Sequence, residues 1–275
     1  MIGLPDDAVL LHGVDFTSAP GKRKGITIAT GTLDAVGVLT LLGMQTLHDF
    51  AEFSRWLALP GPWLGGFDLP FSLPRELVEQ LGWPTKWQAL MTHYAAMTRL
   101  QVRSEFKAFC DARPAGSKFA HRATDGPAAS SPSMKWVNPP VAYMLHAGVP
   151  LLIDAGVTLY GMHAGDTQRL AFEAYPALVA RSVTRQSYKS DERRKQTPER
   201  RAARVMIVDA LEQGSHAYGI GLAAGRWRDA LLDDGSGDLL DAVLCAILAA
   251  WGWQRRTANF GLPAFDTLEG WIIGA

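Results

Sequence analysis

The sequence predicts an α/β protein with a mixed β-sheet. Three short apolar segments, residues 10–14, 25–30 and 36–42, follow one another at hairpin-like spacings, which is typical of an antiparallel meander. A segment of helical pattern comes next, and a fourth apolar strand, residues 63–67, follows it directly. The order strand, strand, strand, helix, strand indicates a sheet that combines antiparallel and parallel neighbours.

The helix in this order is predicted from Phe50, Phe53 and Leu57, which recur at helical spacing. Thr46 and Asp49 precede them and resemble a capping pair, so the helix is expected to begin shortly after Thr46.

The region after the fourth strand is mostly helical in pattern. Residues 74–111 are predicted to be helical, whereas residues 112–132 are rich in Pro, Gly, Ser and Ala and predict an exposed loop. An Asn-Pro-Pro segment at residues 138–140 predicts the start of another helix. Two further strands are expected at residues 157–160 and 169–174.

The C-terminal third is predicted to be helical. One helix starts at residues 197–199 (Thr-Pro-Glu) and stops at Gly214. A long final helix is indicated by a complete apolar stripe, made of Leu240, Val243, Leu244, Ile247, Leu248 and Trp251. The glycine-rich residues 219–225 resemble a dinucleotide loop, but their spacing is wrong and no strand precedes them, so a helix start is expected there.

Composition bounds the class of protein. The 275 residues are enough for one large domain, expected to span residues 1–275, and 48% hydrophobic with 20% charged residues is ordinary for a globular protein. The formal net charge is zero, from 27 basic and 27 acidic residues. Proteins that coat nucleic acid without specificity usually carry a basic excess, so any such contact is expected to be local.

Cysteine usage and hydropathy favour a cytoplasmic protein. Cys110 and Cys245 are too few and too scattered for a disulfide framework or a zinc knuckle. Residues 1–7 lack the basic start and apolar stretch of a signal peptide. No segment approaches the roughly 20 apolar residues of a membrane span, so no membrane partner is expected.

Four aspartates form a candidate metal site. Asp15 and Asp68 each end a short apolar strand, where ligands bind in open α/β sheets. Asp238 and Asp241 lie three residues apart on one face of the final helix. Three of them could instead have a purely structural role, because Asp238 suits a helix N-cap and Asp15 and Asp68 suit turns. Asp241 lies inside the helix, where no cap is needed.

Four converging carboxylates require a counter-charge, because they cannot all stay ionised side by side in a partly dry crevice. Mg²⁺ or Mn²⁺ supplies it with oxygen ligands. Two such ions, about 3.5–4 Å apart, form the clamp that stabilises the attacking and leaving oxygens in phosphodiester cleavage. The sequence therefore predicts a divalent metal site.

Four motifs in order carry a resemblance to a known family. They are GVDFT (13–17), GFDLP (66–70), FEAYP (172–176) and DLLDAV (238–243). In that order they resemble the family called domain of unknown function 429, which is described as predicted ribonuclease-H-like nucleases. The final Asp-x-x-Asp is also similar to that of Holliday-junction resolvases, which share the fold.

This resemblance implies a ribonuclease-H-like sheet, with three antiparallel strands and then parallel strands, flanked by helices. A helical insertion at about residues 74–134 has no counterpart in the minimal fold and is expected to shape the substrate. The family pattern carries over to Asp15, Asp68, Glu173 and Asp241 as the catalytic acidic residues of a metal-dependent phosphodiester hydrolase.

A further acidic ligand is expected on the helix after the third strand. The sequence offers Asp49 or Glu52 and does not decide between them.

A basic segment, residues 181–204, is the expected phosphate-binding surface for a nucleic-acid partner. Lys189 is the first candidate to reach a phosphate, Arg193 the second, and Thr17, close to Asp15, a third. The alternative is a solvated loop and helix face.

Three functional hypotheses follow. The leading one is a metal-dependent nuclease. The second is a non-catalytic module of the same fold that binds nucleic acid or protein. The third is a phosphotransferase related to sugar kinases and actin-like ATPases. Those proteins need two such domains and glycine-rich phosphate loops, and residues 30–32 (Thr-Gly-Thr) are the only hint of one.

Overall fold

The computed structural model describes residues 9–275, so the expectation about residues 1–7 lies outside the described part of the chain. Within that part, the protein is an α/β structure with a seven-stranded mixed sheet and helices on both faces. The strands are β1 Leu10–Asp15, β2 Ile26–Leu33, β3 Val38–Leu47, β4 Trp63–Asp68, β5 Val157–Leu159, β6 Asp166–Glu173 and β7 Gly221–Ala223.

The spatial order of the strands is β5-β6-β4-β1-β2-β3-β7. The neighbours β1 and β2, and β2 and β3, are antiparallel, as the meander predicted. All other pairs are parallel. The prediction of an α/β fold with a mixed sheet is therefore confirmed.

Ten α-helices surround the sheet in the described residues. They are α1 Phe50–Leu57, α2 Arg75–Gln80, α3 Trp87–Ala95, α4 Arg99–Asp111, α5 Asp125–Ala128, α6 Val141–Asp154, α7 Pro176–Val183, α8 Pro198–Glu212, α9 Arg228–Asp233 and α10 Asp238–Gln254. None of the helices between residues 9 and 275 is long and apolar enough to cross a bilayer.

Two hydrophobic cores lie on opposite faces of the sheet, because side chains alternate along a strand. In β1, Leu11 belongs to the core under α7 to α10, and Val14 belongs to the core under α1 to α4 and α6. In β4, Leu64 belongs to the first of these cores and Trp63 belongs to the second. Gly13 and Asp15 therefore share the α10 face with Leu11, and Gly66 and Asp68 share it with Leu64.

Helix α10 packs unusually close to the sheet at Gly13 and Gly66. A Cβ atom on Gly13 would lie 1.9 Å from the Ala242 carbonyl oxygen and 2.2 Å from the Ala246 amide nitrogen. A Cβ atom on Gly66 would lie 2.5 Å from the Cys245 carbonyl oxygen. Since any larger residue would push the helix away, the two glycines set the distance between α10 and the ends of β1 and β4.

Three local predictions are wrong. Thr46 does not cap α1, because β3 continues to Leu47. The cap is Asp49, whose carboxylate accepts from the Glu52 amide at 2.7 Å. The segment 112–132 is not simply an exposed loop, because it contains α5 and the buried Arg122. Finally, residues 219–225 contain β7, which pairs with β3, instead of a helix start.

We expect Gly13→Ala to destabilise the protein by roughly 3 kcal/mol, because the added methyl group overlaps backbone atoms that cannot move independently. Gly43→Ala is the control, since Gly43 also lies in a strand of the sheet, β3, and nothing lies within 4 Å of its added Cβ. Urea unfolding measures both. Equal midpoints for the two variants would contradict the close packing of α10.

Candidate metal centre

The strand register brings Asp15 and Asp68 together. Each is the last residue of its strand, and β1 and β4 are parallel neighbours in which Asp15 is the direct partner of Asp68. Asp241 lies in the first turn of α10, which packs on the same face. One carboxylate oxygen from each of the three lies within 4.8 Å of the others. The three aspartates therefore form one cluster, as the sequence predicted.

The cluster is buried. Asp241 is fully buried and Asp15 is 7% exposed. Burial, followed by the neighbouring charges of Asp241 and Asp68, raises the pKa of Asp15 well above its usual value. Burial also raises the pKa of Asp68 to about 7, although the nearby Lys189 opposes the shift. The cluster therefore holds more negative charge than its surroundings readily stabilise, and a cation there would relieve this cost.

Asp238 lies beside the cluster but outside it. The N-terminus of α10 begins after Gly237, whose φ is +79°, and the Asp234 carboxylate accepts from the Leu239 amide at 2.9 Å. Asp234, not Asp238, thus satisfies this helix end. Asp238 faces Lys24 at 3.5 Å.

Asp241 has two partners from one loop. The Tyr188 hydroxyl donates to Asp241 Oδ1 at 2.5 Å, and the Lys189 ammonium pairs with Asp241 Oδ2. The Lys189 side chain is 42% exposed, so its other side is open to solvent. The residue predicted to reach a phosphate therefore contacts a carboxylate of the cluster.

Glu173 lies outside the cluster of three aspartates, although it lines the same cavity and its charge contributes to the raised pKa of Asp68. It ends β6, but its partner across the ladder is Phe67, so its side chain belongs to the opposite face from Asp68. Both its carboxylate oxygens accept from the Arg122 guanidinium, at 2.6 and 2.7 Å, and the Phe71 amide donates to one of them at 2.9 Å. The arrangement assigns Glu173 an ion pair with Arg122 in place of the ligand position that the resemblance implies.

Arg122 joins the insertion to the sheet. It is 3% exposed and also pairs with Asp125 at 3.0 Å. Glu269 completes the network, because its carboxylate accepts from the Ala123 amide at 2.9 Å and from the Arg75 amide at 2.7 Å. The wall of the site is therefore fixed by a buried network of ion pairs and hydrogen bonds around Arg122.

Asp49 and Glu52 do not join the site. Asp49 accepts from the Glu52 amide, and Glu52 accepts from the His48 amide at 2.6 Å. Both carboxylates serve the N-terminus of α1. The expectation of an acidic ligand on this helix is wrong.

A cavity of about 580 Å³ opens onto the cluster. Asp15, Asp68, Thr17 and Lys189 line it, whereas Arg193 is exposed in a short 3-10 turn outside it. Thr17 and Lys189 are thus placed to meet a ligand of the cluster, and Arg193 is not.

Sequence reasoning missed Arg122 and Tyr188, and it placed Arg204 on the phosphate-binding surface of residues 181–204, whereas Arg204 is buried. Arg204 is 3% exposed and donates to the Tyr188 carbonyl at 2.6 Å and to the Leu232 carbonyl at 2.8 Å, which fixes the loop that carries Lys189. Its spacing from Ile207, Val208 and Leu211 on α8 is a detectable signal of burial. Arg122 has no such signal, because it lies in a segment of loop composition.

Comparison with known proteins gives no relative. No family model matches the chain, and neither the curated proteins nor the solved structures give a significant match.

We expect Arg122→Met to destabilise the protein by roughly 3–5 kcal/mol, because it leaves the buried carboxylates of Glu173 and Asp125 without their partner. Arg103→Met on the exposed face of α4 is the control and should change the free energy of unfolding by less than about 0.5 kcal/mol. Urea unfolding compares the two. Similar losses would mean that the Arg122 network contributes nothing specific.

The contribution of Asp68 to the free energy of unfolding of the metal-free protein should fall as the pH rises from about 4 to 7. The pKa of Asp68 is about 7 in the folded state and near its ordinary value when unfolded, so the folded state binds more protons between these limits. Asp68→Asn removes this contribution, so the variant should gain stability relative to the wild type over that interval. The exposed Asp229→Asn is the control. A constant difference in Tm between Asp68→Asn and wild type at pH 5 and pH 8 would refute this prediction.

Proposed function

We propose that the protein is a divalent-metal-dependent phosphodiesterase that acts on nucleic acid. The observation that carries the proposal is the convergence of Asp15, Asp68 and Asp241, with oxygens within 4.8 Å, at the end of a cavity large enough for a ligand. Carboxylate oxygens are the ligands that Mg²⁺ and Mn²⁺ prefer.

The topology supports assigning the sheet to the ribonuclease-H-like class. Strands β1, β2 and β3 form an antiparallel meander, α1 follows, and β4 and β6 then add in parallel beside β1. This matches the arrangement implied by the resemblance. In this assignment β5 and β7 are additional edge strands, and helices α2 to α5 form the insertion.

The cluster fits a divalent cation on charge as well as on donor type. Its aspartates are buried together, and the chain already directs one cation, the Lys189 ammonium, to Asp241. A bound divalent ion would act as a Lewis acid and would lower the pKa of a bound water. Asp15, Asp68 and Asp241 would hold it, the Tyr188 hydroxyl fixes the orientation of the Asp241 carboxylate, and Lys189 is within reach of a phosphate in the cavity.

The phosphotransferase hypothesis gains no support from its only sequence hint. Residues 30–32 lie inside β2, and the Thr30 hydroxyl is hydrogen-bonded to His12 Nδ1 at 2.9 Å. The segment is thus part of the sheet and forms no phosphate loop. The non-catalytic hypothesis also allows binding of nucleic acid and differs from the proposed function in expecting no cleavage.

Asp15→Asn and Asp241→Asn should each lower manganese-dependent cleavage of a mixed nucleic-acid panel by at least about a hundredfold, because each removes a ligand oxygen and its charge. Both variants should remain folded, since each also removes buried like-charge repulsion. Asp229→Asn, on the exposed face of α9, is the control and should retain wild-type activity.

Calorimetry with Mn²⁺ on the same variants separates the hypotheses. Metal and nucleic-acid binding without turnover in the wild type would favour the non-catalytic module. Normal turnover in both Asp15→Asn and Asp241→Asn would exclude this cluster as the active site.

A further inference from the structure

The aspartate cluster lies at the bottom of a walled cavity. The loop between β1 and β2 forms one wall and is tied on both sides. The Arg99 guanidinium of α4 donates to the Ser18 carbonyl at 2.5 Å, and the Lys24 ammonium pairs with Asp191 at 2.7 Å. The insertion and α7, with the loop that follows it, contribute the other lining residues. A cavity of about 580 Å³ is the size of a pocket for one small ligand.

Two arginines lie between this cavity and an adjoining depression on the protein surface. Arg181 and Arg185 line it, and both also line an adjoining shallower depression with Ala129. Arg181 is held in place, since it donates to the carbonyls of Ala128 and Ala129 at 3.0 Å and to the Tyr175 hydroxyl at 2.9 Å. Arg185 is exposed. The positively charged side chains of Lys189, Arg181 and Arg185 thus extend from the cluster to the surface of the protein.

Part of the cavity wall is apolar and accessible. The half-buried Val141, Met144 and Tyr175 line it, and the Arg181 guanidinium lies over the Tyr175 ring at 5.2 Å. Aromatic rings and arginine planes are the surfaces on which unpaired bases stack. The bases of a duplex are already stacked on one another and cannot use such a wall.

We infer that the substrate is a single, unpaired strand of nucleic acid, whose scissile phosphate enters the walled cavity and whose next phosphates follow Arg181 and Arg185. The chemistry at the scissile phosphate rests on the proposed function. The choice of a single strand rests on separate observations, namely the accessible apolar and aromatic side chains of the cavity and the arginines that line it. The bases of a duplex are paired and stacked on one another, so they are not free to contact these side chains.

Fluorescence anisotropy tests this inference without requiring cleavage. The probe is a labelled single strand of about 12 nucleotides, within the site sizes of single-strand-binding folds, and the same sequence as a duplex. Binding is measured in the Asp15→Asn background, so that the strand stays intact. The single strand should bind at least about tenfold more tightly than the duplex, because only its unpaired bases are free to stack on the side chains of the cavity.

Arg185→Ala, added to that background, should weaken single-strand binding about tenfold, because it removes a charged contact to phosphate. The slope of log Kd against log salt should fall by about 0.7, the value for one phosphate contact on a single strand. Arg185 is exposed, so the variant should fold normally. Arg103→Ala, an exposed arginine of α4, is the control and should leave both quantities unchanged.

Three results would overturn the inference. They are duplex binding as tight as single-strand binding, no effect of Arg185→Ala, and cleavage of a small phosphodiester such as bis(4-nitrophenyl) phosphate by a protein that binds neither oligonucleotide. The proposed function fails by a different result, the absence of Asp15-dependent cleavage of any phosphodiester, which can occur together with tight single-strand binding. The two failures are therefore distinguishable.

Discussion

The close approach of α10 to the ends of β1 and β4 is the constraint on which the rest of the site depends. Gly13 and Gly66 each lie two residues before an aspartate on the same face of the sheet, and the backbone of α10 fills the space that a side chain would occupy. Because of this contact, the first turn of the helix delivers Asp241 to Asp15 and Asp68. A sheet face covered by ordinary side chains would hold the helix too far away for the three carboxylates to meet.

The surrounding charges then divide the acidic residues into two groups. Arg122 pairs with both Glu173 and Asp125 on the insertion side of the sheet, so each of these buried carboxylates has a charged partner inside the protein. The aspartates on the α10 side meet a half-exposed lysine and a tyrosine hydroxyl. The first group stabilises the wall of the cavity, and the second keeps an excess of negative charge that an added cation can satisfy.

The sequence predicted most of the sheet and the three aspartates, because strand alternation and the apolar stripe of α10 are local patterns. It could not predict that Glu173 and Asp68 lie on opposite faces of the sheet, because each of them ends an apolar strand. Only the register of β6 against β4 determines these faces. It also could not find Arg122, whose burial depends on carboxylates that lie 51 and 3 residues away in sequence. The strand β7 was missed because its three residues are defined only by their pairing with β3.

The lysine on Asp241 makes the proposed metal and substrate sites thermodynamically linked. In the proposed function, an ion on Asp241 Oδ2 would compete with the Lys189 ammonium, and a displaced ammonium would be available to a phosphate in the same cavity. Each ligand would then lower the free-energy cost of binding the other, and the coupling would be reciprocal. Lys189 would thus oppose metal binding in the free protein and favour substrate binding once the metal is present.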